Sequence, residues 1–253
     1  VYLTELGEQI YPHIKNIVSE YAIVEQLCSA QQQKPVAIEK INILTHPLIA
    51  DTYLSELAIS TLNNHPQCHI QVREASIERC IEELGHQNYD IILIPIPKSQ
   101  LDKALLDSNF YIAEKVGDDY LAVEMHLSHP LAHKNTITFK DLSCTNVIFI
   151  NQDHEKDASL ASYYFDIRKL KNFIETDNLA LYRKYIANGF VAFTFNTLRK
   201  NAISYFSKEK DILVKSLHPK CPFTYYMFLK PSDSPLVQEL AQKIQNNNYF
   251  SAP

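Results

Sequence analysis

An alternation of short apolar runs with stretches of helical period constrains this chain more than any other feature. The runs INILT at 41–45, HIQVRE at 69–74 and DIILI at 90–94 are separated by helical patterns at about 47–64 and 77–87, the second capped by Ser76. Strands spaced by helices of that length imply βαβ units and a parallel sheet. Such a sheet places its binding crevice at the carboxyl ends of its strands. The pattern turns irregular through Pro95 and Pro97, and strands return at 110–116 and 120–124. A second series follows, with strands at 146–150, 170–175 and 190–195 and a helix at 178–188. Strands at 212–217 and 225–229 and a helix at 234–245 close the chain. Two βα series with a late return of the chain predict two lobes joined by crossing strands.

The first thirty residues follow a different rule. Leu3, Ile10, Ile17 and Val24 recur every seven residues, and Ile14, Tyr21 and Cys28 form a second series offset by four. That spacing is a heptad seam. Thr4 is placed to cap the helix, with Glu5 and Glu8 at the positive end of its dipole. A helix lying on its own domain is the ordinary reading of an amphipathic stretch. The narrow seam and the polar run SAQQQKP at 29–35 favour a protruding dimerisation helix followed by a linker. Pro12 removes one backbone donor and should bend the helix near its first third.

Composition excludes several function classes. The net charge is −5, and the basic residues gather only into short knots such as Arg168, Lys169, Lys171 or Arg199, Lys200. A phosphate-tracking stripe is missing, so these residues are not expected to bind nucleic acid on their own. With four glycines, neither a G-x-G-x-x-G nor a Walker loop can be written. Five cysteines, odd in number and widely spread without a C-x-x-C pair, fit a reduced cytoplasm and no metal site. No apolar run approaches the ~20 residues that span a bilayer, and no signal-peptide pattern is present. The ten histidines and scattered carboxylates form no H-E-x-x-H motif and no nucleophile, base and orienter set. Neither catalysis nor a cofactor is indicated.

Seven segments, in order, resemble the LysR-type transcriptional regulators. LTELGEQIYP is similar to the start of their linker helix. INILTHPLIADTYLSEL and NNHPQCHIQVREAS resemble the family's first strand, first helix and second strand, and ELGHQNYDIILIPIP its Asp-led third strand. YLAVEMHLSHPLA looks like the crossing strand that ends in His129, Pro130 and Leu131, and ITFKDLSCTNVIFI and LALYRKYIANGFVAF look like the second lobe. The resemblance implies an α/β, two-lobed type 2 periplasmic-binding-protein-like fold preceded by a long linker and dimerisation helix at 1–34. Lobe I would comprise 41–116 and 221–250, and lobe II 117–220. It also implies a winged helix-turn-helix head that precedes this sequence and supplies the DNA contact, and a homodimer or homotetramer paired through Leu3, Ile10, Ile14, Ile17, Tyr21 and Val24. The chain departs from the family after Asn188 and Gly189, where Val191 and Asn196 stand in place of a usual glycine and proline.

In that family a small-molecule effector sits between the lobes. The resemblance places its contacts at Thr45, His46, Pro47 and Leu48 after the first strand, at Ser76 and Ile77 after the second, and at Pro95 and Ile96 after the third. Asn151, Gln152, Phe193 and Phe195 would come from the second lobe. Helix N-termini at these points have N–H groups without intrahelical partners, to which Thr45 or Ser76 can add a hydroxyl. For Ser76, plain N-capping is the preferred reading. His46 precedes Pro47, which biases it to extended geometry and leaves its ring free for the cleft. No Arg or Lys falls at any of these positions, so a neutral or singly charged ligand is expected. A peroxide-sensing relative would use two cysteines in lobe II, but Cys144 and Cys221 lack an adjacent activating cation and read as structural thiols. Two rivals share the fold. A transporter's solute-binding protein would need an export signal and no dimerising helix, and an enzyme would need catalytic groups across the cleft.

Overall fold

The structure, a computed structural model, describes residues 4, 6–11, 13–15, 17, 18, 20, 21, 39–151, 160–205 and 211–250. They fall into two units, one ending at Glu39 and the other beginning at Lys40. In the first unit the described residues between 6 and 21 are helical (α1). Thr4 starts this helix: its hydroxyl accepts the Gly7 N–H at 3.2 Å and its carbonyl accepts the Glu8 N–H at 2.9 Å. Ile10, Ile14, Ile17 and Tyr21 all stand exposed, and so do Leu6, Tyr11 and Val18, so the apolar surface is wider than the seam alone. Leu3 and Val24, the bend at Pro12 and the polar segment 29–35 lie outside the described residues.

The second unit holds all but the first residue of β1 (Glu39–Thr45), then α2 (Pro47–Ile49), a π-helical turn (Ala50–Leu54) and α3 (Ser55–Asn64). Next come β2 (Cys68–Glu74), α4 (Ile77–Glu83), β3 (Ile91–Pro97), α5 (Lys98–Asp107) and β4 (Ile112–His126). The middle of the chain holds β5 (Ile137–Thr138), α6 (Phe139–Leu142), β6 (Asn146–Ile150), β7 (Asn172–Thr176), α7 (Leu179–Ala187), β8 (Val191–Phe195) and α8 (Asn196–Tyr205). It closes with β9 (Ile212–His218), β10 (Pro222–Leu229) and α9 (Pro235–Gln245).

The strands run in the order β2-β1-β3-β10-β4-β8-β6-β7, with β9 pairing to β4 and β5. β1 and β3 are parallel, and so are β6, β7 and β8; β10 and β4 run antiparallel between the two sets. Two parallel half-sheets joined by antiparallel crossing strands make a two-lobed α/β fold. β4 serves both lobes, pairing β10 from Ile112 to Tyr120 and β8 from Leu121 to Glu124.

Local departures from the sequence reading have physical causes. The strands expected at 110–116 and 120–124 are one fifteen-residue strand, β4. The intervening Gly117, Asp118 and Asp119 look like a turn in sequence, yet each pairs with β10, and the irregularity shrinks to a register shift opposite Tyr225 and Tyr226. Gly117 is required there, because a Cβ would stand 2.2 Å from the Phe250 carbonyl oxygen. The break expected at Pro95 and Pro97 is also missing: β3 runs through both, paired to Tyr225 and Phe223 of β10. β1 stops pairing at Leu93, so a side of β3 is left where two prolines can lack donors without breaking a ladder. The helix expected to reach residue 87 ends as α4 at Glu83. α5 and α8 have no counterpart in the sequence reading.

Candidate functional site

At the carboxyl end of β1 the Thr45 hydroxyl donates to the Leu93 carbonyl at 2.6 Å, tying β1 to β3 inside the core. His46 follows in extended geometry, as its position before Pro47 requires. Its ring is not left free: Nδ1 accepts the Leu48 N–H at 3.2 Å, and the ring lies 5.2 Å from that of Phe195. His46 is 5% exposed. Burial lowers its pKa to about 3, so the ring is neutral at ordinary pH. Pro47 occupies the first helical position, where a missing N–H costs nothing. Ser76 caps α4 by accepting the Arg79 N–H at 3.2 Å, as its sequence position predicts.

The remaining expected contacts lie on β8 and just after β6. Asn151 closes β6; its N–H donates to the Thr176 carbonyl at 3.0 Å and its Nδ2 to Glu175 at 3.4 Å. Gln152 lies outside the described residues. Phe193 stacks on Phe149 with centroids 5.1 Å apart, and Phe195 packs against Phe223 and Tyr225 of the crossing strand. Leu48, Ile77, Ile96, Phe193 and Phe195 all belong to the hydrophobic core, and Pro47 and Pro95 are buried as well. These expected contacts are therefore packed into the interior.

Two polar contacts tie the first βα series to later segments of the chain. Arg183 of α7 is salt-bridged to Asp51 in the π-helical turn, and the Tyr163 hydroxyl donates to Glu78 in the first turn of α4. Neither was visible in sequence, since each spans residues far apart along the chain. Two further groups at the lobe II crossing were missed. Asp119 of β4 accepts the N–H groups of Thr197 at 2.9 Å and Leu198 at 3.4 Å and the Tyr225 hydroxyl at 3.1 Å, so it caps α8 from another element. Asn196 is 5% exposed and its Oδ1 has no hydrogen-bond partner among the described residues. The only signal for Asn196 in sequence was its departure from the family pattern.

A separate polar pocket of about 610 Å³ lies over β1 and β2 beside α4, lined by residues that include Lys40, Arg73, Glu74, Arg79 and Glu83. It shares no residue with the expected site. Among the described residues no group of three or more His, Cys, Asp or Glu is placed to hold a metal ion. No helix among them is long and apolar enough to cross a membrane.

Residues 37–247 match the family described as LysR substrate binding domain. The chain belongs to that family. Among curated relatives, it is 22% identical over 242 residues to the HTH-type transcriptional regulator EstR of Acinetobacter baylyi, covering 94% of this chain and 75% of EstR. It is 26% identical over 153 residues to the uncharacterized HTH-type transcriptional regulator YvbU of Bacillus subtilis; the match spans 60% of this chain and 48% of YvbU, about half the length of that protein. Three solved structures share the LysR-domain fold. A full-length OxyR variant from Pseudomonas aeruginosa gives a TM-score of 0.58 at 17% identity, over 96% of this chain and 81% of that one. A full-length BenM variant gives 0.61 at 15% identity, over 96% and 78%. The regulatory domain of MetR from N. meningitidis gives 0.61 at 12% identity, over 85% and 96%.

Proposed function

We propose that this chain is the effector-binding and oligomerisation region of a LysR-type DNA-binding transcriptional regulator, with a small molecule held between lobe I (41–116 and 221–250) and lobe II (117–220). The observation that carries this reading is the His46–Phe195 contact, where the carboxyl end of β1 meets that of β8 across the crossing strands. Open α/β sheets bind ligands at such strand ends. Thr45, His46, Ser76, Pro95, Ile96, Asn151, Phe193 and Phe195 contribute the walls, and Gln152 completes the set from sequence. The Arg183–Asp51 and Tyr163–Glu78 contacts are the bonds that lobe opening would break. A ligand that binds the closed arrangement better than the open one shifts the balance between them.

The second half of the proposal is self-association in the cytoplasm. The exposed apolar side chains of α1 support pairing with a second copy, since a helix that leaves Ile10, Ile14, Ile17 and Tyr21 in water is a poor end state. DNA would be read by a helix-turn-helix that is not part of this sequence, as the names of EstR and YvbU suggest for those proteins. Native mass spectrometry of the purified chain tests both halves at once. A dimer or tetramer carrying extra small-molecule mass is the expected result; a bare monomer would overturn the reading.

A further inference from the structure

The pocket over β1 and β2 lies at the edge of the sheet, where β2 is the outermost strand. Parallel strands are ordinarily covered by apolar packing on both faces. One face of β1 obeys that rule, with Ile41 and Ile43 0% and 2% exposed. The alternate residues Lys40 and Asn42 do not, and they line the pocket together with Gln71 and Arg73 of β2. The result is a polar concavity of about 610 Å³, within the size range of small-molecule sites.

Part of its lining is fixed in advance. Glu83, 6% exposed, pairs with Arg79 at 2.7 Å and accepts the Asn88 Nδ2 at 3.0 Å. Three strand side chains are uncommitted: Lys40, Gln71 and Arg73 bond through their side chains to no described residue. The charges then decide what the pocket takes. Arg79 and Glu83 answer each other, which leaves two cations, Lys40 and Arg73, against one carboxylate, Glu74. Burial, and then the Asp51 charge, raise the Glu74 pKa and so disfavour its charged form. One anionic group restores the balance, and Glu74 opposes a second. Amides from Asn42, Gln71 and Asn88 outnumber the aliphatic residues Leu44 and Ala75 in the lining, so the body of the ligand must be polar as well.

We propose that this pocket is a second ligand site, separate from the inter-lobe cleft, and that it takes a small hydroxylated monocarboxylate whose carboxylate meets Lys40 and Arg73. The two sites share no residue, so the inference stands or falls apart from the cleft reading.

The probes are gluconate and glucitol, which share a hydroxylated six-carbon chain and differ in the carboxylate, titrated calorimetrically into the whole chain at fixed ionic strength. Gluconate should bind about tenfold tighter than glucitol, the increment of a charge-assisted hydrogen bond. Arg73→Gln and Lys40→Gln change exposed side chains. Each should weaken gluconate about tenfold and leave the thermal midpoint where it is. Lys184→Gln, at an exposed lysine of α7 outside the pocket, should change neither. Gluconate binding that is undetectable in the parent chain, or equal to that of glucitol, overturns the ligand class. Gluconate binding untouched by both pocket variants puts the ligand elsewhere and overturns the site. A loss as large in Lys184→Gln would show a general effect of charge and overturn the site too.

Discussion

Arg199 of α8 donates to Glu124 of β4 at 2.6 Å, with the two side chains 7% and 1% exposed. The Tyr182 hydroxyl of α7 lies 3.1 Å from the same carboxylate and 2.6 Å from the Phe193 carbonyl of β8, so four elements share one buried polar network. Burial, and then the Glu124 charge, hold the Tyr182 phenol well above its ordinary pKa, so it stays protonated and able to donate.

A buried ion pair is worth little against a well-packed apolar pair, yet losing one partner strands the other charge. Arg199→Met should therefore destabilise the chain by about 3–5 kcal/mol in urea unfolding. Adding Glu124→Leu to that variant should recover part of the loss, because no uncompensated charge then remains. Additive costs for the two changes would show that the groups do not act as a pair.

Gly117 supplies a steric prediction. A methyl group at this position would meet the Phe250 carbonyl oxygen and carbon at 2.2 and 2.8 Å, and backbone atoms cannot step aside as a flexible side chain can. Gly117→Ala should cost about 1–3 kcal/mol, the usual range for overpacking. Gly85→Ala is the control, since its nearest neighbour would be 3.5 Å away, and it should change the urea midpoint little. Equal effects at the two glycines would contradict the close approach at Phe250.

The seam on α1 is tested by charge. Ile10 and Ile17 are 43% and 68% exposed, so replacing them removes nothing buried within one copy. Ile10→Asp with Ile17→Asp should leave the thermal midpoint of the isolated subunit close to that of the parent while lowering the mass seen by light scattering. An unchanged oligomer mass would remove α1 from the pairing surface.

Patterns that depend on neighbours in sequence were legible before the fold was seen. The caps at Thr4 and Ser76, the parallel series led by 41–45 and 90–94, and the two-lobed order all follow from local spacing. β4 was read as two strands because Gly117, Asp118 and Asp119 carry turn chemistry; only the ladder to β10, about a hundred residues on, overrides it. α8 was missed because Asn196, Thr197 and Asn201 are weak helix formers, and its cap, Asp119, comes from another strand. For the candidate site, resemblance marked the strand ends. It did not reveal that His46 would fold back onto Leu48, that Asp51 would meet Arg183, or that Asn196 would be buried unpaired, since each depends on packing between distant segments.

His46 makes a prediction whose sign follows from linkage. Its pKa falls from 6.5 when free to about 3 when buried. Between those values the unfolded chain binds a proton that the folded chain refuses, so stability falls as the pH is lowered through this window. The contribution is fully present above about pH 6.5 and shrinks by at most ~1.4 kcal/mol per pH unit below it. His46→Asn keeps a side-chain oxygen able to accept the Leu48 N–H and does not titrate. The variant should therefore lose stability less steeply than the parent on moving from about pH 6.5 to about pH 5, with a difference of roughly 1–2 kcal/mol in urea unfolding. His129, whose pKa burial also lowers, titrates in both proteins and cancels from the comparison. Parallel stability profiles for the two proteins would mean that His46 accepts a proton in the folded state as readily as in the unfolded one, and that its ring is not enclosed between Leu48 and Phe195.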